Sequence, residues 1–427
     1  MIEGIIIGLK TALSFQNILM VMIGCFFGTI IGMLPGLGPM TAIALMIPIT
    51  YGFDPATGLI LMAGVYYGAV FGGSTSSILL NAPGIPGTVA TAFDGYPMAQ
   101  QGKAGKALAI AAWSSFAGGT LSAIYLLFLA PSLSKVSLSF RSPDYFALMI
   151  LGLTAIAAFS SKGQFLKAMM MVVLGLMLAS VGQDSLSDIT RFTFNNMNLT
   201  DGISFVLIVM ATFAMSEALT IILKKKDPTS AAKQVSLTKL GSIKINKEER
   251  RKMYRTIPRS SIMGFLIGVL PGAGATIASF LAYGMERNLV KDEEKEKFGK
   301  GSVNGLSAPE TANNAACSGS FVPMLTLGIP GSGTTAVMLG ALLGFGIQPG
   351  PRLYMTNPEI FWSVIISMYF GMVILLILNL PLIPYIARIL AVPKNYLIPL
   401  ILFFSMTGIY VMSFNNFDIY LMIGIAV

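Results

Sequence analysis

The sequence predicts an all-α polytopic membrane protein with two homologous halves, discontinuous helices and re-entrant hairpins. Two observations predict this fold class. Of 427 residues, 54% are hydrophobic and 11% are charged, whereas an average soluble domain has about 25% charged residues. Two Pro-Gly signatures also recur in the same order in each half of the chain. A chain of this composition is solvated by lipid, and the repeated signatures indicate a duplicated unit.

Hydrophobic runs of suitable length occur along the whole sequence. A spanning helix needs about 20 mainly apolar residues. The final run, 417–427, is too short to span, so we expect the full-length protein to continue. Candidate spans are 17–34, 39–52, 57–80, 104–130, 144–160, 164–182, 202–223, 259–283, 311–345 with an interruption, 360–390 and 395–413.

A basic polar segment separates the two hydrophobic halves. Residues 224–259 hold twelve Lys and Arg against three acids. Basic residues next to spanning segments collect on the cytoplasmic side, so this linker is predicted to be cytoplasmic. The same rule explains the formal net charge of +9 without a nucleic-acid partner. The predicted organisation is a first membrane repeat at 1–223, a basic linker at 224–258 and a second membrane repeat at 259–427.

The chain contains no histidine and two isolated cysteines, Cys25 and Cys317. Histidine is the commonest general base at neutral pH and the commonest transition-metal ligand. Two isolated thiols form neither a disulfide framework nor a zinc site. We therefore predict no catalytic residue, no enzyme activity, no organic cofactor and no metal site other than one for sodium.

Pro-Gly motifs interrupt the hydrophobic runs at matching places in the two halves. GMLPGLG at 32–38 matches GVLPGAG at 268–274, and Gly-Ile-Pro-Gly follows at 84–87 and 328–331. Proline removes a backbone donor, and in hydrocarbon the freed carbonyl groups need new partners. Paired breaks therefore indicate a cavity at a transporter-type binding site, with ordinary helix kinks as the alternative. The hairpin tips are predicted at Pro35, Pro86, Pro271 and Pro330.

Polar residues cluster beside these breaks. Residues 72–77 read GGSTSS, and residues 309–314 read PETANN. A single serine can bond to its own helix, but four consecutive hydroxyls and two adjacent asparagines are hard to explain by packing. Hydroxyls, amides and freed helix N-termini suit an anionic substrate. The predicted substrate-binding residues are Ser74, Thr75, Ser76, Asn81, Thr311, Asn313 and Asn314.

Charge balance points to a co-bound cation. The broken segments contain no central Lys or Arg, so a bound anion needs another source of positive charge. Oxygen-rich sites beside unwound backbone suit a hard cation. Without histidine, protons would have to use carboxylates, which makes sodium the predicted coupling ion and protons the alternative. The predicted ion-binding residues are Gly36, Gly38, Gly272, Gly274, Asn81 and Asn314.

Two acidic residues have competing interpretations. Glu310 is the one acid in the polar clusters, and an acid within a membrane segment is a functional candidate. The alternative is that Glu310 caps the start of a helix. Asp94 lies in FDGYPMAQQGKAGKA, a stretch predicted to form an interfacial loop rather than a binding site.

The motifs together resemble the large membrane subunit of the tripartite tricarboxylate transporter family, the TctA type. The match runs in order over most of the chain, although family members usually carry further hydrophobic segments beyond the point where this sequence stops. The motifs are GMLPGLGPMTA (32–42), GGSTSSILLNAPGIPGT (72–88), DGYPMAQQGKAGKAL (94–108), GVLPGAGATIASFLAYGMER (268–287) and the long segment at 298–353.

The resemblance implies a function. Such proteins take up di- and tricarboxylates such as citrate, driven by an ion gradient that is usually sodium. They reside in the bacterial inner membrane. Their partners are a small membrane subunit of about four helices (TctB type) and an extracytoplasmic solute-binding protein (TctC type). Alternating access between the two halves favours inverted repeats.

Two other classes of function remain open from the residues alone. A carboxylate or anion channel would also contain broken helices and polar residues within the membrane. An intramembrane enzyme would need a nucleophile with a base or a pair of acids, and the polar clusters offer only Glu310.

Overall fold

The computed structural model is almost entirely helical over the residues it describes. Four described helical stretches are long and apolar enough to cross a membrane: Phe15–Met33, Pro55–Leu80, Pro86–Val136 and Pro358–Asn379. The described residues are 2–34, 37–139, 141, 143–144, 146–147, 150, 154, 164–184, 189–223, 241–386 and 397–427. Most of the predicted span 144–160 lies outside them.

The first half begins with an amphipathic helix and contains three of the four long apolar stretches found among the described residues. A short antiparallel ribbon pairs Gly182 with Arg191. The helices are α1 (Ile2–Ala12), α2 (Phe15–Met33), α3 (Gly38–Thr50), α4 (Pro55–Leu80), a 3-10 turn (Pro86–Thr88), α5 (Val89–Met98), a π-turn (Ala99–Lys103), α6 (Ala104–Ser137), α7 (Phe165–Ala179), a 3-10 turn (Met197–Leu199), α8 (Phe205–Val209), a π-turn (Met210–Met215) and α9 (Ser216–Leu223), and the strands are β1 (Gly182–Gln183) and β2 (Thr190–Arg191).

The helix that precedes the second Pro-Gly motif starts earlier than the predicted span at 259–283. It begins at Lys247, inside the predicted linker, because Asn246 and Glu249 form a reciprocal capping box. The predicted interrupted run at 311–345 divides into three helices. The helices are α10 (Lys247–Val269), α11 (Gly274–Leu289), α12 (Asp292–Lys295), α13 (Val303–Gly319), α14 (Phe321–Leu327), α15 (Gly333–Gly344), α16 (Leu353–Thr356), α17 (Pro358–Asn379), α18 (Ile383–Ile386), α19 (Leu397–Ser413) and α20 (Asn416–Ala426).

The described backbone on either side of the first Pro-Gly motif has the same geometry in each half. The Leu34 N–H donates to the Ile31 carbonyl over 3.0 Å, and the Leu270 N–H donates to the Ile267 carbonyl over 3.1 Å. The next helix then begins at a glycine with φ +64° in the first half and +63° in the second, a region that favours glycine. The turns therefore join α2 to α3 and α10 to α11 as equivalent hairpins. Pro35 and Gly36 lie outside the described residues.

Glycines allow the helices within each half to pack backbone against backbone. A Cβ added at Gly28 of α2 would lie 2.3 Å from the Val65 carbonyl oxygen of α4. In the second half, a Cβ at Gly264 of α10 would lie 2.4 Å from the Ala312 carbonyl oxygen of α13. Small residues permit this close approach in membrane helices. The pairs α2–α4 and α10–α13 thus use the same packing device.

Polar side chains connect the two halves and fix the direction of their central helices. The Tyr67 and Ser318 hydroxyl oxygens are 2.8 Å apart, and the Ser74 hydroxyl donates to Glu310 over 2.8 Å. Because the contact moves forward along α4 while it moves backward along α13, these two helices are antiparallel. Both helices are buried along most of their length, so they form the centre of the molecule.

Candidate substrate and ion site

Four helices begin in the same region, at the breaks that interrupt the hydrophobic runs. They are α3, α5, α11 and α15, two from each half. A Cβ added at Gly333, the first residue of α15, would lie 2.6 Å from the Met40 sulfur of α3. The Ser279 hydroxyl of α11 donates to the Gly87 carbonyl over 2.7 Å, and the Gly272 N–H donates to the Gly331 carbonyl over 3.1 Å. These contacts bring all four helix starts together.

The helix starts differ in whether a side chain caps them. Within the described residues, no side chain caps the start of α3, α5 or α11, whereas Ser332 caps α15 by accepting from the Thr335 N–H. Uncapped N-terminal N–H groups and the positive end of the helix dipole attract anions. The arrangement can therefore hold a carboxylate without a Lys or Arg side chain.

The two glycines that start α3 and α11 border open space. No described heavy atom lies within 4 Å of a Cβ built on Gly38 or on Gly274. Pro86 and Gly333, at the other two breaks, are exposed. A ligand can thus reach the helix starts. Of the predicted tips, Pro271 follows the end of α10, and Pro330 lies in the turn before α15.

The asparagine pair of α13 lies directly under the first Gly-Ile-Pro-Gly tip. A Cβ at Gly87 would be 2.7 Å from Asn313 Oδ1 and 3.3 Å from Asn313 Nδ2. Both polar atoms of the Asn313 amide are buried and lack a hydrogen-bond partner among the described residues. Asn314 donates to the Glu310 carbonyl over 3.0 Å, while its Oδ1 is also unpartnered. Buried amides are normally hydrogen-bonded, so these atoms indicate a place for a ligand.

Most of the predicted hydroxyls have a different environment. Ser74 donates to Glu310, and Ser76 donates to the Gly73 carbonyl over 3.1 Å. Thr311 donates to the Ser114 carbonyl over 3.3 Å. Thr75 is buried and lines a small cavity between helices. Ser74 and Thr311 thus bond across helix–helix contacts, and Ser76 bonds within its own helix.

Glu310 is the centre of a hydrogen-bond network that joins the two halves. Its carboxylate accepts from Ser74 of α4 over 2.8 Å, from Ser115 of α6 over 2.7 Å and from Thr91 of α5. The side chain is fully buried. The interpretation of Glu310 as a helix cap is wrong, because the residue lies well inside α13, which begins at Val303.

Asn81 stands apart from the other predicted site residues. It is exposed, and it ends α4 in the left-handed region with φ 51°. Asparagine tolerates this conformation better than most residues. The structure therefore gives Asn81 the position of a helix C-cap and does not bring it together with Asn313 and Asn314.

Asp94 contradicts the prediction of an interfacial loop. It is fully buried in α5, and its Oδ1 accepts from the backbone N–H groups of Gly299, Gly301 and Ser302. The three distances are 3.0, 2.9 and 2.6 Å. The three N–H groups of this loop satisfy Oδ1 of the buried carboxylate, while Oδ2 has no hydrogen-bond partner among the described residues, so Asp94 ties the first half to the 299–302 loop of the second half.

Other contributors were not identified from the sequence. Thr91, Ser115 and Ser279 lie outside the polar clusters, and single Ser or Thr residues in apolar helices are too common to single out. Their contacts are to residues about 190 to 220 positions away in the chain. The Thr91 and Ser279 contacts could have been suspected, because these residues lie about one and two helix turns beyond a Pro-Gly break.

Comparison with known proteins identifies the family of the chain. Residues 18–427 match the tripartite tricarboxylate transporter TctA family. A 52.8 kDa protein of Agrobacterium vitis, from the TAR-I ttuC' 3' region, is 42% identical over 423 residues, which cover 99% of this chain and 83% of the relative. A protein from the TAR-II ttuC' 3' region of the same organism is 45% identical over 160 residues, 38% of this chain and 65% of the relative.

No solved structure matches the chain. The family match confirms the predictions of a membrane protein and of a function other than catalysis. The family match covers nearly the whole chain, and so does the 42% identity to the first relative. Together they assign the chain to a family. The chain belongs to the TctA family of tripartite tricarboxylate transporters and is a multi-pass membrane transporter subunit.

Proposed function

We propose that this chain is the permease subunit of a binding-protein-dependent secondary transporter that takes up di- and tricarboxylates together with sodium. Transport of tricarboxylates is the function of the family. The sodium coupling, the site and the alternating-access mechanism are the parts that we add. The proposal assigns the substrate site to the four helix starts and to Asn313 and Asn314.

One observation is the main support for this assignment: the buried, unpartnered Asn313 amide beside four converging helix N-termini. A carboxylate group accepts several hydrogen bonds, and the uncapped N–H groups of α3, α5 and α11 with the amide Nδ2 atoms are donors. A polycarboxylate could place different carboxylate groups at helix starts from different halves. Binding would thus require both halves, as alternating access demands.

The same geometry supports inverted repeats. The equivalent hairpins α2–α3 and α10–α11 are each packed by glycines against a long central helix, α4 or α13. Since α4 and α13 are antiparallel, the two units would enter the membrane from opposite sides. We therefore infer that the first unit, within 1–223, and the second, within 259–427, are related by an axis in the membrane plane.

The charge balance of the region supports sodium as the co-transported cation. No Lys or Arg of the described residues lies at the four helix starts, so dipoles alone would face a substrate with two or three negative charges. Amide and carbonyl oxygens near Gly38, Gly272, Gly274 and Asn314 could bind cations that neutralise the substrate. Gly36 remains a predicted ligand, although it lies outside the described residues.

Members of this tripartite family work with TctB-type and TctC-type partners. We propose that the same holds here, with a small membrane subunit and an extracytoplasmic solute-binding protein in the bacterial inner membrane. The linker at 224–258 would then lie in the cytoplasm, because it is rich in basic residues.

Uptake by proteoliposomes tests the function. The chain is reconstituted with its two partner subunits, and uptake of labelled citrate and of C4-dicarboxylates is measured with and without an inward sodium gradient at fixed pH and membrane potential. Accumulation above equilibrium only with the sodium gradient is expected. Accumulation driven by a pH gradient alone would replace sodium with protons, and gradient-independent flux that never exceeds equilibrium would indicate a channel.

A further inference from the structure

A small cavity lies between the two halves, away from the four helix starts. It has a volume of about 10 Å³, room for about one water molecule. Its polar lining residues are Ser74 and Thr75 of α4, Ser115 of α6 and Asn379 at the end of α17, and the apolar wall is formed by Phe71, Leu108, Ala111 and Ala112. The four polar residues are each at most 4% exposed. The cavity is therefore buried among helices and too small for a carboxylate.

One lining residue has an unused oxygen. Asn379 donates through Nδ2 to the Leu375 carbonyl over 3.0 Å, which fixes the orientation of its amide. Its Oδ1 is buried and has no hydrogen-bond partner among the described residues. A buried amide oxygen without a partner is rare in folded proteins. This oxygen therefore indicates a bound species that donates to it or coordinates to it.

The hydroxyls of the cavity are oriented by Glu310. Ser74 and Ser115 both use their hydrogens to donate to the Glu310 carboxylate, at 2.8 and 2.7 Å. Each hydroxyl has two further lone pairs that can face the cavity. No Lys or Arg of the described residues forms an ion pair with Glu310. A buried carboxylate without a positive partner is costly in a membrane.

We propose that this cavity is a sodium site, with oxygen ligands from Ser74, Thr75, Ser115 and Asn379. Glu310, which accepts hydrogen bonds from Ser74 and Ser115, supplies the balancing negative charge. The proposal rests on the sodium-coupled function proposed above and gives one coupling ion a location. A single neutral water would satisfy Asn379 Oδ1 but would leave the charge of Glu310 unbalanced. A monovalent cation satisfies both requirements.

The position of the site suggests how the ion would affect transport. Its ligands come from α4 and α6 of the first half and from α17 of the second, and Glu310 belongs to α13. Asn314, in the substrate region, donates to the backbone carbonyl of Glu310 itself. Sodium binding would therefore hold α13 in place against the first half and position the amide that contacts substrate.

The first test measures the sodium dependence of citrate uptake in proteoliposomes that contain the full transporter. Thr75→Val and Asn379→Leu keep the side-chain shape and remove one ligand oxygen each. A lost contact to a charged group, comparable in strength to a hydrogen bond, lowers the affinity for sodium about tenfold to hundredfold. The sodium concentration for half-maximal uptake should rise by that factor. The matched controls are Thr29→Val, which removes a bond to the Cys25 carbonyl, and Ser122→Ala, which removes a bond to the Ala315 carbonyl. Both controls should stay within about twofold of the unmodified protein.

The second test uses the purified chain and sodium chloride alone, with potassium and choline chloride as references. Sodium should raise the unfolding temperature of the unmodified protein, and Glu310→Gln or Asn379→Leu should abolish that rise. Unchanged sodium effects in both tests would overturn the site while leaving sodium-coupled uptake intact. Sodium stabilisation that depends on Asn379, together with sodium-independent uptake, would keep the site and overturn the coupling.

Discussion

The contacts inside each half differ in kind from the contacts between the halves. Within a half, Gly28 meets α4 and Gly264 meets α13 through backbone atoms. Between the halves, contacts are made by polar side chains such as Ser74, Glu310 and the Tyr67–Ser318 pair. Backbone-to-backbone packing has few alternative arrangements, because any shift produces a clash. Hydroxyl and amide contacts can be exchanged for contacts to water, ions or substrate.

The difference indicates where movement occurs and where binding occurs. We expect each half to move as a unit, and the polar surface between them to open and close. The unpartnered Asn313 and Asn379 oxygens are both on this surface. The following predictions test the contrast between a rigid glycine interface and an exchangeable polar interface.

The largest effect is expected in the glycine interface. A Cβ at residue 28 would lie 2.3 Å from the Val65 carbonyl oxygen. Gly28→Leu therefore places a side chain in space that backbone atoms already occupy. Backbone cannot move aside, so the folded state should lose about 3 kcal/mol or more. The measurement is the unfolding temperature and the yield of monodisperse protein. Gly284→Ala, in α11 where no described heavy atom lies within 4 Å, is the control and should be neutral or stabilising; equal behaviour of the two variants would refute the rigid interface.

The next effect concerns substrate and leaves stability intact. Asn313→Ala should weaken citrate binding about tenfold to hundredfold, the value of a lost hydrogen bond to a charged group. Because the Asn313 amide has no partner among the described residues, the variant should unfold at the same temperature or higher. Citrate binding is measured by isothermal titration, and Asn288→Ala, exposed on α11, is the control variant. Lower stability with normal citrate affinity would make Asn313 a structural residue.

The first Gly-Ile-Pro-Gly tip and the start of α15 should respond differently to a methyl group. Gly87→Ala meets the buried Asn313 amide, whereas Gly333→Ala meets the flexible Met40 side chain. Overpacking costs about 1–3 kcal/mol, and a cost of that size in the transport barrier lowers the uptake rate roughly tenfold or more. Gly333→Ala should change the uptake rate by less than about twofold, since Met adapts to small changes. Uptake rates of the two variants, measured side by side, test this difference, and a larger loss for Gly333→Ala would contradict it.

A smaller effect is expected at the Asp94 contact with the second half. Asp94→Asn keeps the acceptor atom but removes the charge that strengthens three backbone hydrogen bonds, which should cost about 1 kcal/mol. Hydrogen exchange of the Gly299, Gly301 and Ser302 amides should become several-fold faster. Asp292→Asn, exposed at the start of α12, should leave those amides unchanged. No change for Asp94→Asn would remove this contact from the polar interface.

The smallest effect is expected for the ion pair between the halves. Lys106 and Glu249 are 2.9 Å apart and partly exposed, and such pairs contribute about 0.2–1 kcal/mol. A double-mutant cycle with Lys106→Met and Glu249→Gln measures the coupling, because glutamine can retain the capping bond from the Asn246 N–H. A coupling energy well above about 1 kcal/mol would mean that this pair, rather than Glu310, holds the halves together.

Particular residues show which features of the fold and the candidate site could be predicted from the sequence. The Pro-Gly pairs predict helix breaks, because proline and glycine restrict the backbone locally, and the described helices α2 and α10 end just before these pairs. The Asn313–Asn314 pair was identifiable, because two adjacent amides in an apolar run have no packing explanation. Asn81 looked equally suitable in the sequence, yet it ends a helix on the surface. The hydroxyls of Ser74 and Thr75 were found, but their partners were not.

The sequence by itself determined the membrane environment, the duplicated breaks and the family, since composition, local backbone restriction and ordered motifs are properties of nearby residues. The tertiary structure alone decided which polar groups meet. Ser74 and Glu310 are 236 residues apart in the chain, and Asn379 reaches the cavity only because α17 packs against the first half. Such pairings depend on how the helices pack, because lipid-solvated helices with similar apolar surfaces can associate in many ways until polar atoms require partners.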